Sequence, residues 1–371
     1  MVKNIKLHFN HTIAFYWNLF FIIVLIGSLA VFYLPERYMA DALLLAKDPY
    51  NQAGLLGSYP FSFWFYQNTG LASLSFPLIA WIQIPIVFIL LYRLGLPDSF
   101  KSFTLRNSLV WMGLLVFGIY MGFPSKEFIT ILWVFLVAFI LKKEISLSKK
   151  VFLSTILFLF FGWFYREYFI LVPILALGIY FFSFIKIKNK VLFNITVGLV
   201  IVSFMSLSHG IIKGQFITQA FRNKLNTERV SLNDQSASTM ILSPIEPDTF
   251  HGEVFGIFYG FFSVNLPITG MRFLLKPQVL IFVVWQILLF CTLIYYYRNA
   301  YKSKTLYNHE LWVFHLLFAY FIIQGIFEPD LGSAVKHKLG VFPLIWLAMY
   351  YDKGLIKKPK INKKYVFRIT K

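Results

Sequence analysis

Three short segments of the chain combine carboxylates with cations in a pattern that suits chemistry on an anionic substrate. They are PSKE at 124–127, YRE at 165–167 and EPDLGSAVKHK at 328–338. Lys and Arg side chains bind phosphate groups, Arg through a planar fork and Lys as a point charge. A neighbouring carboxylate can accept the proton of an attacking hydroxyl group. If the three segments meet, the sequence predicts an anion-binding site that contains a general base.

The composition indicates that this chemistry takes place in a membrane protein. Hydrophobic residues make up 58% of the 371 residues, aromatic residues 20% and charged residues only 14%. The apolar runs recur from end to end and are apolar on all sides, which predicts an all-α, polytopic integral membrane protein rather than a β-barrel. The single cysteine, Cys291, excludes a disulfide framework. No spacing of His and carboxylates predicts a metal site, and we expect no cofactor.

Ten membrane spans are predicted from the lengths of the apolar runs. They lie at 13–34, 76–95, 108–122, 128–142, 151–165, 168–185, 192–208, 277–297, 311–327 and 339–351. If both termini are cytoplasmic, most Lys and Arg residues lie inside, as the positive-inside rule requires. Topology then explains the net charge of +19. The basic tail at 352–371 is predicted to bind anionic lipid headgroups on the cytoplasmic side rather than nucleic acid.

Two external segments are long, and we predict that both are loops outside the membrane, at 35–75 and 209–276. The first contains PERYMADALLLAKDPYNQAG, whose apolar spacing predicts a short interfacial helix. The second ends in an apolar stretch that is broken by Asn265 and Pro267. Because the basic residues after the next span must stay inside, this stretch is expected to be re-entrant or interfacial. No repeat or linker divides the chain, so residues 1–371 are predicted to form one integral membrane domain.

The predicted spans on either side of PSKE are too short to cross a bilayer. Each arm has about 15 residues, or roughly 22 Å of helix, against the ~30 Å of the hydrocarbon core. The arms before YRE and after EPDLGSAVKHK are similarly short. A charge at that depth costs on the order of 2.5–3.5 kcal/mol on insertion scales, so such tips are tolerated where they face one another or water. We therefore expect the three tips to share one polar cavity that opens to the outside.

The candidate site residues follow from this prediction. Glu127 and Glu328 are the two candidates for the general base, and the sequence does not decide between them. The predicted substrate-binding cations are Lys126, Arg166, Lys336, His337, Lys338, Arg222 and Arg229. The first five suit a lipid-linked phosphate or diphosphate, and the two loop arginines suit an acidic glycan. Each group also has a structural interpretation, as an ion pair at headgroup level between helices or as a solvated basic surface.

These features resemble the Wzy-type polymerases of bacterial O-antigen and capsular polysaccharide pathways. The resemblance rests on the chain length, the ten or so spans, the large late external loop and the PSKE, YRE and EPDLGSAVKHK segments. It covers most of the chain as architecture and only these short segments as motif. The last segment contains Lys-His-Lys where the family leads us to expect at least one Arg.

The resemblance implies an enzyme of the inner membrane that is related to the GT-C class of glycosyltransferases. Such an enzyme takes a growing glycan from undecaprenyl diphosphate and transfers it, at the periplasmic face, to a new lipid-linked repeat unit. It implies that the five tip cations bind the diphosphate, that Glu127 or Glu328 assists the acceptor hydroxyl, and that Arg222 and Arg229 contribute from the large loop. The implied partners are the lipid-linked glycan, membrane lipids, a chain-length regulator and a flippase.

Two other functions remain open. A transferase that adds one sugar from a polyprenyl monophosphate donor would use Glu36 or Asp41 in the first external loop as its base. Substituting those residues would abolish that activity and spare a polymerase. A flippase of lipid-linked glycan would need access from both sides and commonly shows two related halves, neither of which the sequence indicates. Loss of a polymerase leaves surface glycan of one repeat unit, whereas loss of a flippase leaves none.

Overall fold

The computed structural model describes residues 10–231, 239–273, 275–302 and 307–351, so the predicted basic tail at 352–371 lies outside the described residues. Within these ranges the chain is helical apart from its turns and loops and an isolated β-bridge between Met240 and Asp330. The α-helices are α1 (His11–Tyr33), α2 (Ala40–Lys47), α3 (Ser58–Asn68), α4 (Phe76–Leu94), α5 (Leu105–Met121), α6 (Lys126–Lys142), α7 (Leu147–Phe164), α8 (Leu171–Phe182), α9 (Lys190–Lys213), α10 (Lys224–Ser231), α11 (Phe250–Asn265), α12 (Pro277–Lys302), α13 (Tyr307–Phe327), α14 (Leu331–Gly340) and α15 (Phe342–Tyr350). Shorter 3-10 and π-helical turns lie at Glu36–Tyr38, Leu71–Ser73, Glu167–Ile170, Gln219–Asn223 and Ile268–Phe273.

Six helices in the described part of the chain are long and apolar enough to cross a membrane, namely α1, α4, α7, α9, α12 and α13. They confirm the prediction of an all-α protein of the multi-pass membrane type. Two shorter apolar helices, Leu105–Met121 and Glu167–Phe182, lie beside them. The apolar window of α13 is entirely buried, and α8, α9, α11 and α12 pack around it. This helix therefore forms the centre of the bundle.

The helices run between two ends of the bundle, which carry different side chains. The end that we call the charged end contains the start of α6 and the ends of α7 and α13, where Arg166 binds Glu127. The opposite end contains the end of α6 and the start of α7. There the ammonium group of Lys142 donates to the carbonyl oxygen of Tyr351 at 3.1 Å. All three segments that the sequence singled out therefore lie at the charged end.

Small residues allow α11 to approach the central helix closely. A Cβ atom on Gly260 would lie 2.0 Å from the carbonyl oxygen of Gly325, and one on Gly325 would lie 2.6 Å from the Cα atom of Phe261. Neither position accepts a side chain without a backbone shift. Helices in lipid gain little from hydrophobic contact with each other, so close van der Waals packing through small residues is what joins them.

The stretch predicted to be re-entrant is α11 and the 3-10 turn that follows it. α11 ends at Asn265, which is fully buried and donates to the carbonyl oxygen of Phe321 on α13 at 3.3 Å. The chain then turns through Ile268–Phe273 before α12 begins at Pro277. Asn265 and Pro267, which break the apolar run in the sequence, therefore mark the end of a helix that penetrates the bundle beside α13.

The last pass differs from the prediction. We expected a span at 339–351, with 328–338 as a loop at its tip, whereas the structure forms α14 from Leu331 and α15 from Phe342. Asp330 caps α14, because its side chain accepts a hydrogen bond from the backbone N–H of Ser333 at 2.8 Å. Pro343 starts α15 after a break at Val341. The Lys-His-Lys run therefore lies on a helix that packs against α6, not on a loop.

Candidate active site at the charged end

Glu127 is the centre of a cluster that joins the three segments predicted from the sequence. Its side chain is 0% exposed at the start of α6. The hydroxyl of Ser125 donates to Glu127 Oε2 at 2.9 Å, and the guanidinium of Arg166 donates to Oε1 at 2.6 Å. Arg166 also donates to the hydroxyl of Tyr168 at 3.0 Å. The PSKE and YRE tips thus meet, as the short helix arms predicted.

The third segment reaches the same carboxylate from α14. Nε2 of His337 lies 3.3 Å from Glu127 Oε1, and Nζ of Lys336 lies 3.7 Å from Oε2. Nδ1 of His337 lies 2.8 Å from Oε1 of Glu328, which also accepts from Gln324 at 3.0 Å. Glu328 is 0% exposed, and its Oε2 has no hydrogen-bond partner among the described residues. One imidazole therefore bridges the two carboxylates that the sequence offered as general bases.

Asp41 belongs to this cluster, although the sequence placed it only in an alternative function. Its Oδ2 lies 2.8 Å from Nζ of Lys336 and 3.6 Å from Nζ of Lys126, and its Oδ1 accepts from the hydroxyl of Tyr59 at 3.0 Å. Lys126 also lies over the ring of Tyr59, 3.5 Å from its centroid. Burial alone would raise the pKa of Asp41, but the ammonium groups of Lys126 and Lys336 hold it well below its ordinary value.

The cluster balances its own charge to a large extent. Lys126, Arg166 and Lys336 face Asp41 and Glu127, and His337 lies between Glu127 and Glu328. An anionic ligand must therefore compete with carboxylates for these cations. Such a network can exchange ion pairs when a charged substrate enters.

A cavity of about 570 Å³ lies beside the cluster. Asp41, Lys336, Tyr120, Arg229 and Gln286 are among the residues that line it. Its walls come from α2, α5, α12, α14 and the large external segment. Among the three cluster carboxylates, Asp41 lines this cavity and its side chain is 38% exposed, whereas Glu127 and Glu328 are buried. A substrate in the cavity would meet Asp41 first.

α5 and α12 together form a largely apolar part of the cavity wall. Deep in the bundle the two helices touch, where the indole N–H of Trp285 donates to the carbonyl oxygen of Leu109 at 2.9 Å. Nearer the charged end, Tyr120 of α5 and Val279 and Phe282 of α12 line the cavity instead. This part of the cavity wall therefore places apolar side chains beside the polar groups of α14.

Lys338 points away from the other four tip cations. Lys338 is 1% exposed, and its ammonium group donates to Asn265 Oδ1 at 3.2 Å and to Gln286 Oε1. It also lies 4.7 Å from the ring centroid of Phe321. No carboxylate forms an ion pair with it in the described ranges.

The two loop arginines lie apart from the cluster. Arg222 is 0% exposed and donates to the carbonyl oxygens of Gly256 and Gly325, each at 3.0 Å. Arg229 forms an ion pair of 2.6 Å with Asp330, the capping residue of α14, and lines the cavity. The structure thus brings Arg229 to the cavity, while Arg222 joins α11 to α13.

Among the residues that the structure describes, no group of three or more His, Cys, Asp and Glu side chains has an arrangement that could hold a metal ion. Comparison with protein-family models, with curated proteins and with solved structures found no match for this chain.

Proposed function

We propose that this protein is an integral membrane glycosyltransferase that polymerises lipid-linked oligosaccharide repeat units. The substrates would be glycans that are carried on undecaprenyl diphosphate, and the product would be O-antigen or capsular polysaccharide. The reaction would take place at the periplasmic face of a bacterial inner membrane. The observation that carries the proposal is the meeting of the PSKE, YRE and EPDLGSAVKHK segments around Glu127, beside a polar cavity in a membrane-type bundle.

The proposal includes a topology of ten crossings. They are α1, α4, α5, α6, α7, α8, α9, α12, α13 and a last crossing formed by α14 and α15 together. In this topology the charged end faces the periplasm, both termini are cytoplasmic, and α11 re-enters from the periplasmic side. A GT-C-like arrangement, with the site at the outer ends of the helices, belongs to the same proposal.

In the proposed reaction, the hydroxyl oxygen of the acceptor sugar attacks the anomeric carbon of the donor glycan. The bond from that carbon to the diphosphate oxygen breaks, and the lipid diphosphate leaves with the electron pair. Cations of the charged end stabilise the leaving diphosphate electrostatically. The hydroxyl proton passes to a carboxylate or to His337. The apolar side chains of Val279 and Phe282 in the cavity wall support a lipid-borne donor, because a polyprenyl chain could lie against them while its phosphates enter the cavity.

The roles of the carboxylates differ in this mechanism. Glu127 and Glu328 are buried and hold Arg166 and His337, so we assign them to positioning these groups rather than to direct contact with the acceptor. Among the three cluster carboxylates, Asp41 lines the cavity and is the one that an acceptor hydroxyl can reach, whereas Asp330, which also lines it, is held by Arg229 and caps α14. When an anionic donor draws Lys336 from Asp41, the carboxylate loses a cation and becomes a stronger base.

A specific observation favours the second candidate, a transferase that adds one sugar from a polyprenyl monophosphate donor. That function requires an acidic residue of the first external loop in the site, and Asp41 contacts both Lys126 and Lys336. Substitution of Asp41 therefore no longer separates the two enzymes, since it would impair either of them. The glycan product has to separate them instead.

The experiment is complementation of a strain that lacks this gene, with surface glycan resolved by length on a gel. Arg166→Ala and Glu328→Gln should each leave glycan with a single repeat unit while the wild-type protein restores the ladder. Glu253→Gln is the matched control, because Glu253 is a buried carboxylate that binds Ser206 and Thr218 outside the cluster. Equal membrane levels of each protein must be shown by immunoblot.

Three results would contradict the proposal in different ways. Full ladders from Arg166→Ala and Glu328→Gln would remove the cluster from the active site. A deletion strain without any surface glycan would indicate a flippase. A deletion strain whose repeat unit lacks one sugar would indicate the single-sugar transferase.

A further inference from the structure

Lys338 is a buried cation whose partners are all uncharged. It donates to Asn265 Oδ1 at 3.2 Å and to Gln286 Oε1, and it faces the ring of Phe321. The amide of Asn265 is fixed in this orientation, because its N–H₂ group donates to the carbonyl oxygens of Phe261 and Phe321. An ammonium group in this environment is solvated by dipoles, but its charge is not neutralised by any ion pair in the described residues.

Gln286 connects this charge to the cavity. Gln286 is 1% exposed and lines the cavity together with Val335 and Lys336, and its Oε1 accepts a hydrogen bond from Lys338. With Oε1 bound, the amide presents Nε2 as its remaining group, and Nε2 has no hydrogen-bond partner in the described part of the chain. A buried donor of a cavity-lining residue is therefore unsatisfied, and the ammonium group of Lys338 lies on the other side of the same amide.

The other predicted cations contrast with this arrangement. Lys126, Arg166, Lys336 and His337 already face carboxylates, so an entering anion gains from them only by displacing Asp41 or Glu127. At Gln286 an anion would satisfy a free N–H donor and approach Lys338, which has no carboxylate within ion-pair distance in the described residues, without breaking an ion pair.

We propose that Gln286, with Lys338 and Asn265 behind it, forms the phosphate subsite of the cavity and receives a phosphate group of the lipid-linked donor. The identity of this ligand rests on the proposed function, whereas the preference for a phosphate rests on the contacts alone. Gln286 lies on α12, one helical turn from Phe282 in the apolar wall. A phosphate at this position would leave its lipid chain beside Val279 and Phe282 and its sugar toward Asp41 and Lys336.

Gln286→Glu is the sharpest test, because it predicts opposite effects on stability and on binding. The near-isosteric carboxylate would pair with Lys338 and leave the melting temperature unchanged or higher, while its charge would repel phosphate. Binding of farnesyl diphosphate to the purified protein in lipid nanodiscs should become weaker by about tenfold or more, which is the loss of one charge-assisted contact. Binding of farnesol, which has no phosphate, should not change.

Lys338→Met removes the charge itself and should weaken farnesyl diphosphate binding by a similar factor. Lys150→Met is the matched control, since Lys150 is also a buried lysine but lies at the opposite end and donates to the hydroxyl of Tyr351. That control should bind farnesyl diphosphate as the wild type does. A melting curve for every variant separates loss of binding from loss of folding.

The subsite is overturned if Gln286→Glu folds and binds farnesyl diphosphate like the wild type, or if the wild type shows no preference for farnesyl diphosphate over farnesol. These results are separable from failure of the proposed function. Loss of binding in both variants, together with a full glycan ladder in the gene-deletion strain, would support the subsite and reject the polymerase. Normal binding in both variants, together with a glycan ladder that depends on Arg166, would reject the subsite and support the polymerase.

Discussion

Arg166 and Arg222 are both buried arginines at the charged end, but their partners differ in kind. Arg166 binds two side chains, the carboxylate of Glu127 at 2.6 Å and the hydroxyl of Tyr168 at 3.0 Å. Arg222 binds two backbone carbonyl oxygens, those of Gly256 and Gly325. Side chains can exchange partners when a substrate enters, whereas these carbonyl groups are fixed by α11 and α13. Burial of a charge therefore does not identify a catalytic group by itself.

The position of the cavity agrees with this difference. Glu127, the partner of Arg166, also contacts Lys336, which lines the cavity. Arg222 lies where Gly260 and Gly325 bring α11 against α13, and it is not among the residues that line the cavity. We infer that Arg222 joins two helices, whereas Arg166 takes part in a network that responds to a ligand.

The largest effect on stability is expected for Arg222→Met. This change removes two hydrogen bonds from a charged donor to buried carbonyl oxygens, and each hydrogen bond to a charged group contributes about 1.5–3 kcal/mol. The free energy of unfolding in detergent should fall by about 3 kcal/mol or more, with turnover per folded molecule nearly unchanged. Chemical denaturation gives the first quantity, and transfer activity normalised to folded protein gives the second.

Arg166→Met is the counterpart that makes the comparison decisive. It should lower transfer activity by at least about 100-fold per folded molecule, which corresponds to about 2.7 kcal/mol in the transition state. If Arg222→Met loses activity in the same way without loss of stability, the distinction between the two arginines fails.

A smaller effect is expected where Asp330 and Arg229 meet at the rim of the cavity. Asp330→Ala removes the cap of α14, in which Asp330 accepts from the N–H and the hydroxyl of Ser333. Loss of such a cap costs about 1 kcal/mol. Arg229→Ala leaves the cap intact and removes a partly exposed ion pair, which is worth about 0.2–1 kcal/mol. Because Asp330→Ala loses the ion pair with Arg229 as well as the cap, it should lower the unfolding free energy more than Arg229→Ala does, and equal losses in the two variants would show that the cap contributes nothing.

The meeting of the three segments could be predicted from the sequence because it depends on length and charge. The helices on either side of PSKE have 17 residues each, still short of the hydrocarbon core, and ions at their tips need partners. The prediction of a short arm before YRE was wrong, because α7 has 18 residues and is long enough to cross, so for Arg166 the argument depends on charge alone. This argument correctly brought together Glu127, Arg166 and His337. The all-helical bundle was predictable for the same kind of reason, since apolar runs of this length are stable in lipid only as helices.

Other parts of the site depend on contacts that lie far apart in the sequence. The start of α14 at Leu331 is signalled locally by the capping Asp330, and the prediction of a loop there overlooked this signal. Asp41 offers no such sign, because its place in the cluster depends on how α2 folds over α6 and α14. The same holds for Gln286, an isolated polar residue in an apolar run, whose role depends on its contact with Lys338.

The smallest expected effect concerns the pH dependence that Asp41 adds to stability. Lys126 and Lys336 hold the pKa of Asp41 below its ordinary value, despite burial, so this ion pair stabilises the folded state above the unfolded-state pKa of about 3.9. The contribution begins to decrease when the pH falls below the unfolded-state pKa, and it is lost once the pH has fallen through the lower folded-state pKa. Because the side chain is 38% exposed, solvent screens the pair, and we expect no more than about 1 kcal/mol.

The measurement is the difference in unfolding free energy between the wild type and Asp41→Asn from pH 7 to pH 3. It should stay constant from pH 7 to about pH 5 and shrink below about pH 4, because only then does the unfolded chain bind a proton that the folded chain does not. Asp98→Asn, at an exposed carboxylate of the opposite end, is the control and should give a difference near zero throughout. If the difference for Asp41 already shrinks between pH 7 and pH 5, Lys126 and Lys336 do not hold this carboxylate ionised. The contact between the first external loop and α14 would then depend on an interaction other than these ion pairs.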